Sequence, residues 1–161
     1  RHLGYGMDFG YTNDPSTLIS VFLHDTDMYI HEKIYRTGMT NRDISNELQR
    51  LGVGRREEIY ADSAEPKSID EIYKMGWNIK PAAKGRDSIN IGIDMLKRYK
   101  IHVTKQSTNT IKEFRNYKWK EDKNGLVLNT PVDMFNHSID AIRYLVFNKL
   151  SRPDYGKYAL R

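Results

Sequence analysis

The stretch "TLISVFLHDTDMYIHEKIYR", Thr17 to Arg36, constrains the fold more than any other part of the chain. Two apolar runs rich in β-branched and aromatic residues, each of strand length, flank the polar turn "HDTD" and predict two strands side by side. The preceding "YGMDFGY" reads as a further strand, so the chain opens on a three-stranded meander. The pattern then changes period. "TNRDISNELQRLGVG" is a helix that Thr40 can cap, with Ile44, Leu48 and Leu51 at i, i+4 and i+7 and Gly52 as its stop. "EEIYAD" is a short strand ending in Asp62, "AEPKSIDEIYKMG" a helix with Pro66 near its first turn, and "WNIKPAAKG" a strand running into a loop. "RDSINIGIDMLKRY" gives a third helix and "IHVTK" another strand. A helix over 107–116, a hairpin in "YKWKEDKNGLVLN" turning at Asn124-Gly125, and a final helix from about Val132 to Lys149 complete the order. Antiparallel strands followed by strand–helix alternation predict an α/β fold, a mixed central sheet flanked by helices with an extra hairpin toward the C-terminus.

The chain has 161 residues, 39% of them hydrophobic, which suits one domain with a real core, expected over 1–161. No apolar run approaches the length of a membrane span, and the lack of an initiating Met makes Arg1 an expected cut point within a longer protein. With no cysteine, neither a disulfide framework nor a thiolate zinc site is possible, which agrees with a reducing, cytoplasmic setting. The 26 Lys and Arg against 21 Asp and Glu leave a charge of +5, an excess that suits a polyanion.

Three acids stand where charge is costly. Asp8 sits between Met7 and Phe9 in the first strand, Asp62 ends the strand after the first helix, and Asp140 lies in the apolar helix "FNHSIDAIRYLVF". In a mixed sheet the first and fourth strands can be neighbours, and a terminal helix packed across them would bring a third carboxylate to the same spot. Three converging carboxylates repel unless cations hold them, and Mg²⁺ or Mn²⁺ prefers such oxygen donors. Two such ions roughly 3.5–4 Å apart can activate a water and stabilise the leaving oxygen of an in-line phosphodiester displacement. Each acid has a plainer alternative. Asp8 could be tied to turn amides, and Asp62 could be a helix-start charge. His137 shares a helix face with Asp140 and is either a ligand or an outer hydrogen-bonding group. Asp14 is either a further carboxylate of the site or part of an ordinary "NDPS" turn, and Glu65 and Asp133 read as helix-end charges.

"GMDFGYTNDPS", "YADSAEPKSI", "AAKGRDSINIGIDML" and "FNHSIDAIRY", in this order and at these intervals, resemble the C-terminal nuclease domain of the large terminase subunit of tailed bacteriophages. The similarity covers nearly the whole chain. It implies a ribonuclease H-like fold and a double-stranded DNA endonuclease that uses Mg²⁺ or Mn²⁺ to cut concatemeric viral DNA during packaging in the host cytoplasm. Asp8 then stands for the first-strand acid, Asp62 for the second-strand acid and Asp140 for the helical acid, with His137 matching a histidine some members carry beside the last acid. The family's N-terminal ATPase motor would lie elsewhere, since no G-x-x-x-x-G-K-[ST] loop is present. The same resemblance implies the small subunit and the portal as partners. Lys84, with Arg86 and Lys80 beside it in "KPAAKGRDS", is the expected phosphate-contacting group. Another ribonuclease H-like nuclease such as a junction resolvase, or a non-catalytic DNA-docking module, are the competing expectations.

Overall fold

The computed structural model describes residues 1–151; the remainder of the expected domain, 152–161, lies outside the described residues. The meander is present as β1 (His2–Asp8), β2 (Ser16–His24) and β3 (Asp27–Arg36), paired antiparallel in succession. Helix α1 (Asn41–Arg50) starts at a capping box in which the Thr40 hydroxyl accepts from the Asp43 N–H and the Asp43 carboxylate accepts from the Thr40 N–H. Strand β4 (Ile59–Ala61), helix α2 (Pro66–Lys74), strand β5 (Ile79–Pro81), helix α3 (Ser88–Leu96) and strand β6 (Lys100–Val103) follow, then helix α4 (Thr108–Asn116).

The sheet order is β5-β4-β1-β2-β3-β6, with β4 parallel to β1, β5 parallel to β4 and β6 parallel to β3. Because β2 is antiparallel to both neighbours, it alone runs against the other five strands. The carboxyl ends of β1, β3, β4, β5 and β6 therefore share one edge of the sheet. In open α/β sheets this is the edge where ligands bind.

The last helix, α5 (His137–Leu150), covers one face and buries Ala141, Ile142, Leu145 and Val146 against Leu3, Ile19, Val21 and Ile30. Helices α1 and α2 cover the other face, where Ile44, Leu48, Ile69 and Ile72 meet Tyr5, Met7, Leu18 and Trp77. Strand residues alternate between faces, yet Leu3 and Tyr5 lie on opposite ones. The cause is an irregularity at Gly4, whose φ of 135° is open to glycine, and it leaves Gly6 and Asp8 pointing toward α5.

The hairpin forms from β7 (Trp119–Glu121) and β8 (Val127–Pro131), with Gly125 left-handed as the Asn-Gly turn predicts. The final helix differs from the expectation: it begins at His137, not Val132. Val132 still donates its N–H to Lys118 O in the hairpin, and Phe135 has a φ of 53° that no helix accommodates. The start of α5 is set from outside. Glu113 of α4, 1% exposed, accepts the N–H groups of Ser138 at 2.8 Å and Ile139 at 3.2 Å, and the Tyr35 hydroxyl at 2.9 Å. Asn136 supplies no side-chain cap, so a carboxylate from another helix satisfies the orphan amides.

Candidate active site

Asp8 is the last residue of β1, Asp62 follows the last residue of the adjacent β4, and Asp140 occupies the first turn of α5, which crosses both strands. Parallel pairing of β1 and β4 is what brings Asp8 and Asp62 to the same edge. The three carboxylates feel one another. Burial pushes the Asp8 carboxyl up to about 6; the hydrogen bond from His137 works against that, and the charges of Asp140 and Asp62 add to it. The Asp140 carboxyl is likewise raised, first by burial, with Arg143 opposing. The buried Tyr144 phenol is lifted far above its ordinary value by burial and then by the fields of Asp8, Asp140 and Asp62.

His137 stands between two acids, with Nδ1 3.4 Å from Asp8 Oδ2 and Nε2 3.5 Å from Asp14 Oδ1. Its imidazole is raised above the usual histidine value, chiefly by the Asp8 hydrogen bond. The Thr17 hydroxyl, in the ladder position opposite Asp8, donates to the His137 carbonyl at 3.3 Å and ties the helix start to β2. Asp14 is largely exposed and reaches the group only through His137.

The other two acids are held by cations of the chain itself. Lys84 Nζ bonds Asp62 Oδ1, which also accepts the Ala64 N–H at 2.9 Å. Arg143 sends Nη2 at 2.7 Å and Nε at 3.3 Å to the same oxygen of Asp140, Oδ1. As they stand, no three His, Asp or Glu side chains among the described residues are drawn close enough to enclose a metal ion. Asp8, Asp62 and Asp140 lie at one edge of the sheet, but they do not close around a common point, and Lys84 and Arg143 hold Asp62 and Asp140 in ion pairs. The donor set nonetheless fits Mg²⁺ or Mn²⁺: all-oxygen, acidic and mutually repelling, with Asp8 and Asp140 both raised by burial, a penalty that divalent charge removes.

Lys80 is not brought to the acids. It lies in β5 opposite Tyr60 and bonds Glu58 at 2.8 Å, before the start of β4. There Lys149 and Lys80 together hold the Glu58 carboxyl down to about 2. Arg86 is exposed in the loop before α3. A cavity of about 170 Å³ adjoins Asp140, walled by Lys84, Ser88, Arg143, Tyr144 and Phe147. The sequence reasoning missed Arg143, although its i+3 spacing from Asp140 was a usable signal. It also missed Glu113, which no local pattern marks.

A family model described as "Terminase RNAseH like domain" matches residues 8–147, a span that holds all three acids. The chain belongs to that family. It is 30% identical over 142 residues to the PBSX phage terminase large subunit of Bacillus subtilis (strain 168), covering 86% of this chain and 33% of that protein. It is 33% identical over 153 residues to the terminase large subunit of Bacillus phage SPP1, covering 86% of this chain and 34% of that protein. The chain thus spans about a third of the length of these relatives. Among solved structures it is similar to the g2p (large terminase) nuclease domain from bacteriophage SPP1 with bound Mn, at a TM-score of 0.79 and 28% identity, covering 89% of this chain and 84% of that one. The large terminase nuclease from thermophilic phage G20c shares the fold at a TM-score of 0.61 and 22% identity, covering 95% and 83%. The expected ribonuclease H-like fold is therefore the fold of this terminase domain. No helix among the described residues is long and apolar enough to cross a membrane.

Proposed function

We propose that this domain is a divalent-metal-dependent endonuclease that cuts double-stranded, concatemeric viral DNA during genome packaging. The observation that carries the reading is the gathering of Asp8, Asp62 and Asp140 at one edge of the sheet by two parallel strands and a crossing helix. The similar nuclease domain from SPP1, solved with bound Mn, supports the use of a divalent metal by a domain of this kind.

In this reading Asp8, Asp62 and Asp140 would hold the metal, with His137 and Asp14 as outer members. Two bound Mg²⁺ or Mn²⁺ ions would supply the positive charge that activates a water and stabilises the departing 3′-oxygen. The chain's own groups do the rest. His137 Nδ1 fixes the orientation of Asp8 Oδ2. Arg143 engages only Oδ1 of Asp140, which leaves Oδ2 for a ligand. Lys84, released from Asp62, would hold a phosphate beside the acids, and Arg86 would contact the backbone further along the loop. As one domain of a larger terminase, working in the host cytoplasm, it would answer to an ATPase motor, the small subunit and the portal. A large terminase from a thermophilic bacteriophage, of which this chain covers 40%, has been solved in complex with ADP, which supports a nucleotide-binding partner domain.

The test is nicking of supercoiled plasmid in Mn²⁺ by the 161-residue chain. Asp8→Ala, Asp62→Ala and Asp140→Ala are each expected to abolish nicking while keeping the circular dichroism of the fold. Near-normal nicking by one variant removes that residue from the ligand set. Failure of the unaltered chain to nick, even at generous concentration, leaves a docking module, and a strong preference for four-way junctions points to a resolvase.

A further inference from the structure

The acids have cations on the β4–β5 side, but the opposite flank also holds one. Arg36 is the last residue of β3, at the same carboxyl edge as Asp8. The ladder fixes its distance: Asp8 lies opposite Thr17, Thr17 opposite Tyr35, and Arg36 follows Tyr35 in register with Ser16. Two β-strand spacings separate β1 from β3, roughly 9–10 Å.

Between Arg36 and His137 lies a cavity of about 520 Å³, whose wall includes Asn13, Thr37 and Phe135. Its walls are tied in place. The Gly38 N–H donates to Tyr11 O at 2.6 Å, linking the turn after β3 to the loop after β1, and the Tyr35 hydroxyl is held by Glu113. Phe135 adopts a left-handed φ of 53°, a conformation costly for a bulky residue, and Lys112 Nζ sits 5.9 Å from its ring centroid. The acids nearby are engaged elsewhere: Asp14 and Asp8 face His137, and Glu113 takes the Tyr35 hydroxyl.

Arg36 differs from the other cations of this edge. Lys84 is paired with Asp62 and Arg143 with Asp140, whereas Arg36 is exposed and has no carboxylate within ion-pair distance among the described residues. Asp43 and Glu47 feel its charge only at longer range. An unpaired guanidinium lining a cavity beside the acids, with Asn13, Thr37 and His137 in the same wall, has its donors available, and its fork suits a phosphate.

We propose that Arg36 and this cavity form a second phosphate site, which takes the backbone of the bound DNA strand on the flank opposite Lys84. This rests on the nuclease reading and deepens it: DNA would cross the sheet edge from Arg36, over His137 and Asp8, toward Lys84.

The experiment is anisotropy of a short labelled duplex with the 161-residue chain in chelator, titrated across a salt series. Arg36→Ala is expected to weaken binding roughly tenfold at low salt and to lower the slope of log K against log salt by about 0.9. Arg36→Lys should keep the slope, and the charge-matched Lys74→Ala, whose lysine pairs with Asp70 on α2, should change neither quantity. The thermal midpoint of Arg36→Ala should stay at the wild-type value, since the side chain is exposed. Wild-type affinity and slope in Arg36→Ala, or an equal loss in Lys74→Ala, overturns the site while leaving the nuclease reading intact. Absence of any salt-dependent DNA binding by the unaltered chain, in chelator and with Ca²⁺ alike, overturns both.

Discussion

Gly6 is the residue whose alteration should most directly separate α5 from the sheet. A Cβ built on it would lie 1.8 Å from the Ala141 carbonyl oxygen and 2.5 Å from the Ala141 carbonyl carbon, both backbone atoms of α5. An unstrained carbon–oxygen contact needs about 3.3 Å, so Gly6→Ala requires helix and strand to part by roughly 1.5 Å. No side chain can yield to make that space. Overpacking commonly costs about 1–3 kcal/mol, and a clash with rigid backbone belongs at the top of that range. The displaced segment carries Asp140, next to Ala141, and His137, one turn earlier. A shift of about 1 Å in reacting groups can cost roughly a hundredfold in rate. Urea unfolding of Gly6→Ala should therefore show a loss of about 3 kcal/mol, with plasmid nicking down at least a hundredfold under conditions where the variant is still folded. A variant with wild-type stability and nicking would refute the close approach of α5 to β1.

Two further outcomes follow from buried carboxylates. The folded-state pKa of Asp8, about 6 against an unfolded 3.8, means that the folded state binds this proton more tightly. Its stabilising contribution is full below about pH 3.8 and is lost as pH rises through 6. Metal-free Asp8→Asn should thus be more stable than wild type by up to about 3 kcal/mol near pH 8, with the gap closing below about pH 4; thermal melts in chelator that show a constant gap across this window would refute the assignment. Glu113→Ala strips acceptors from the Ser138 and Ile139 amides and from the Tyr35 hydroxyl. At about 1–3 kcal/mol for each buried donor left unsatisfied, the variant should lose at least 3 kcal/mol in urea unfolding and Glu113→Gln clearly less, whereas equal losses for both would count against the cap.

The acids were legible because their setting was wrong for charge: Asp8 within an apolar strand and Asp140 in an apolar helix each called for a partner. The strands and helices of the first two-thirds were legible for a related reason, that their periodicities are local. What failed was nonlocal. The start of α5 could not be read at Val132 because it is fixed by Glu113, which sits on another helix. Lys80 lies only four residues before Lys84, yet its side chain goes to Glu58 while Lys84 reaches Asp62. Proximity along the chain does not settle which end of a strand a long side chain serves. The pairing of β6 with β3 on the far side of the meander likewise leaves no mark in either segment.

The ion pairs of Lys84 with Asp62 and of Arg143 with Asp140 have a consequence for when such a site works. Carboxylates engaged by the chain's own cations are a competitor built into the protein, present at unit stoichiometry and never diluted. On the metal-dependent reading, an incoming divalent ion would meet a site whose ligands are free only a fraction of the time, and its apparent affinity would be reduced by that fraction. The lysine it evicts is left without a carboxylate at the edge of the substrate path, where a phosphate can replace the lost partner. Metal and DNA would then each make room for the other, and by linkage the help is equal in both directions. On the nuclease reading, a cutter arranged in this way would be quiet in solution and become competent only with DNA already bound.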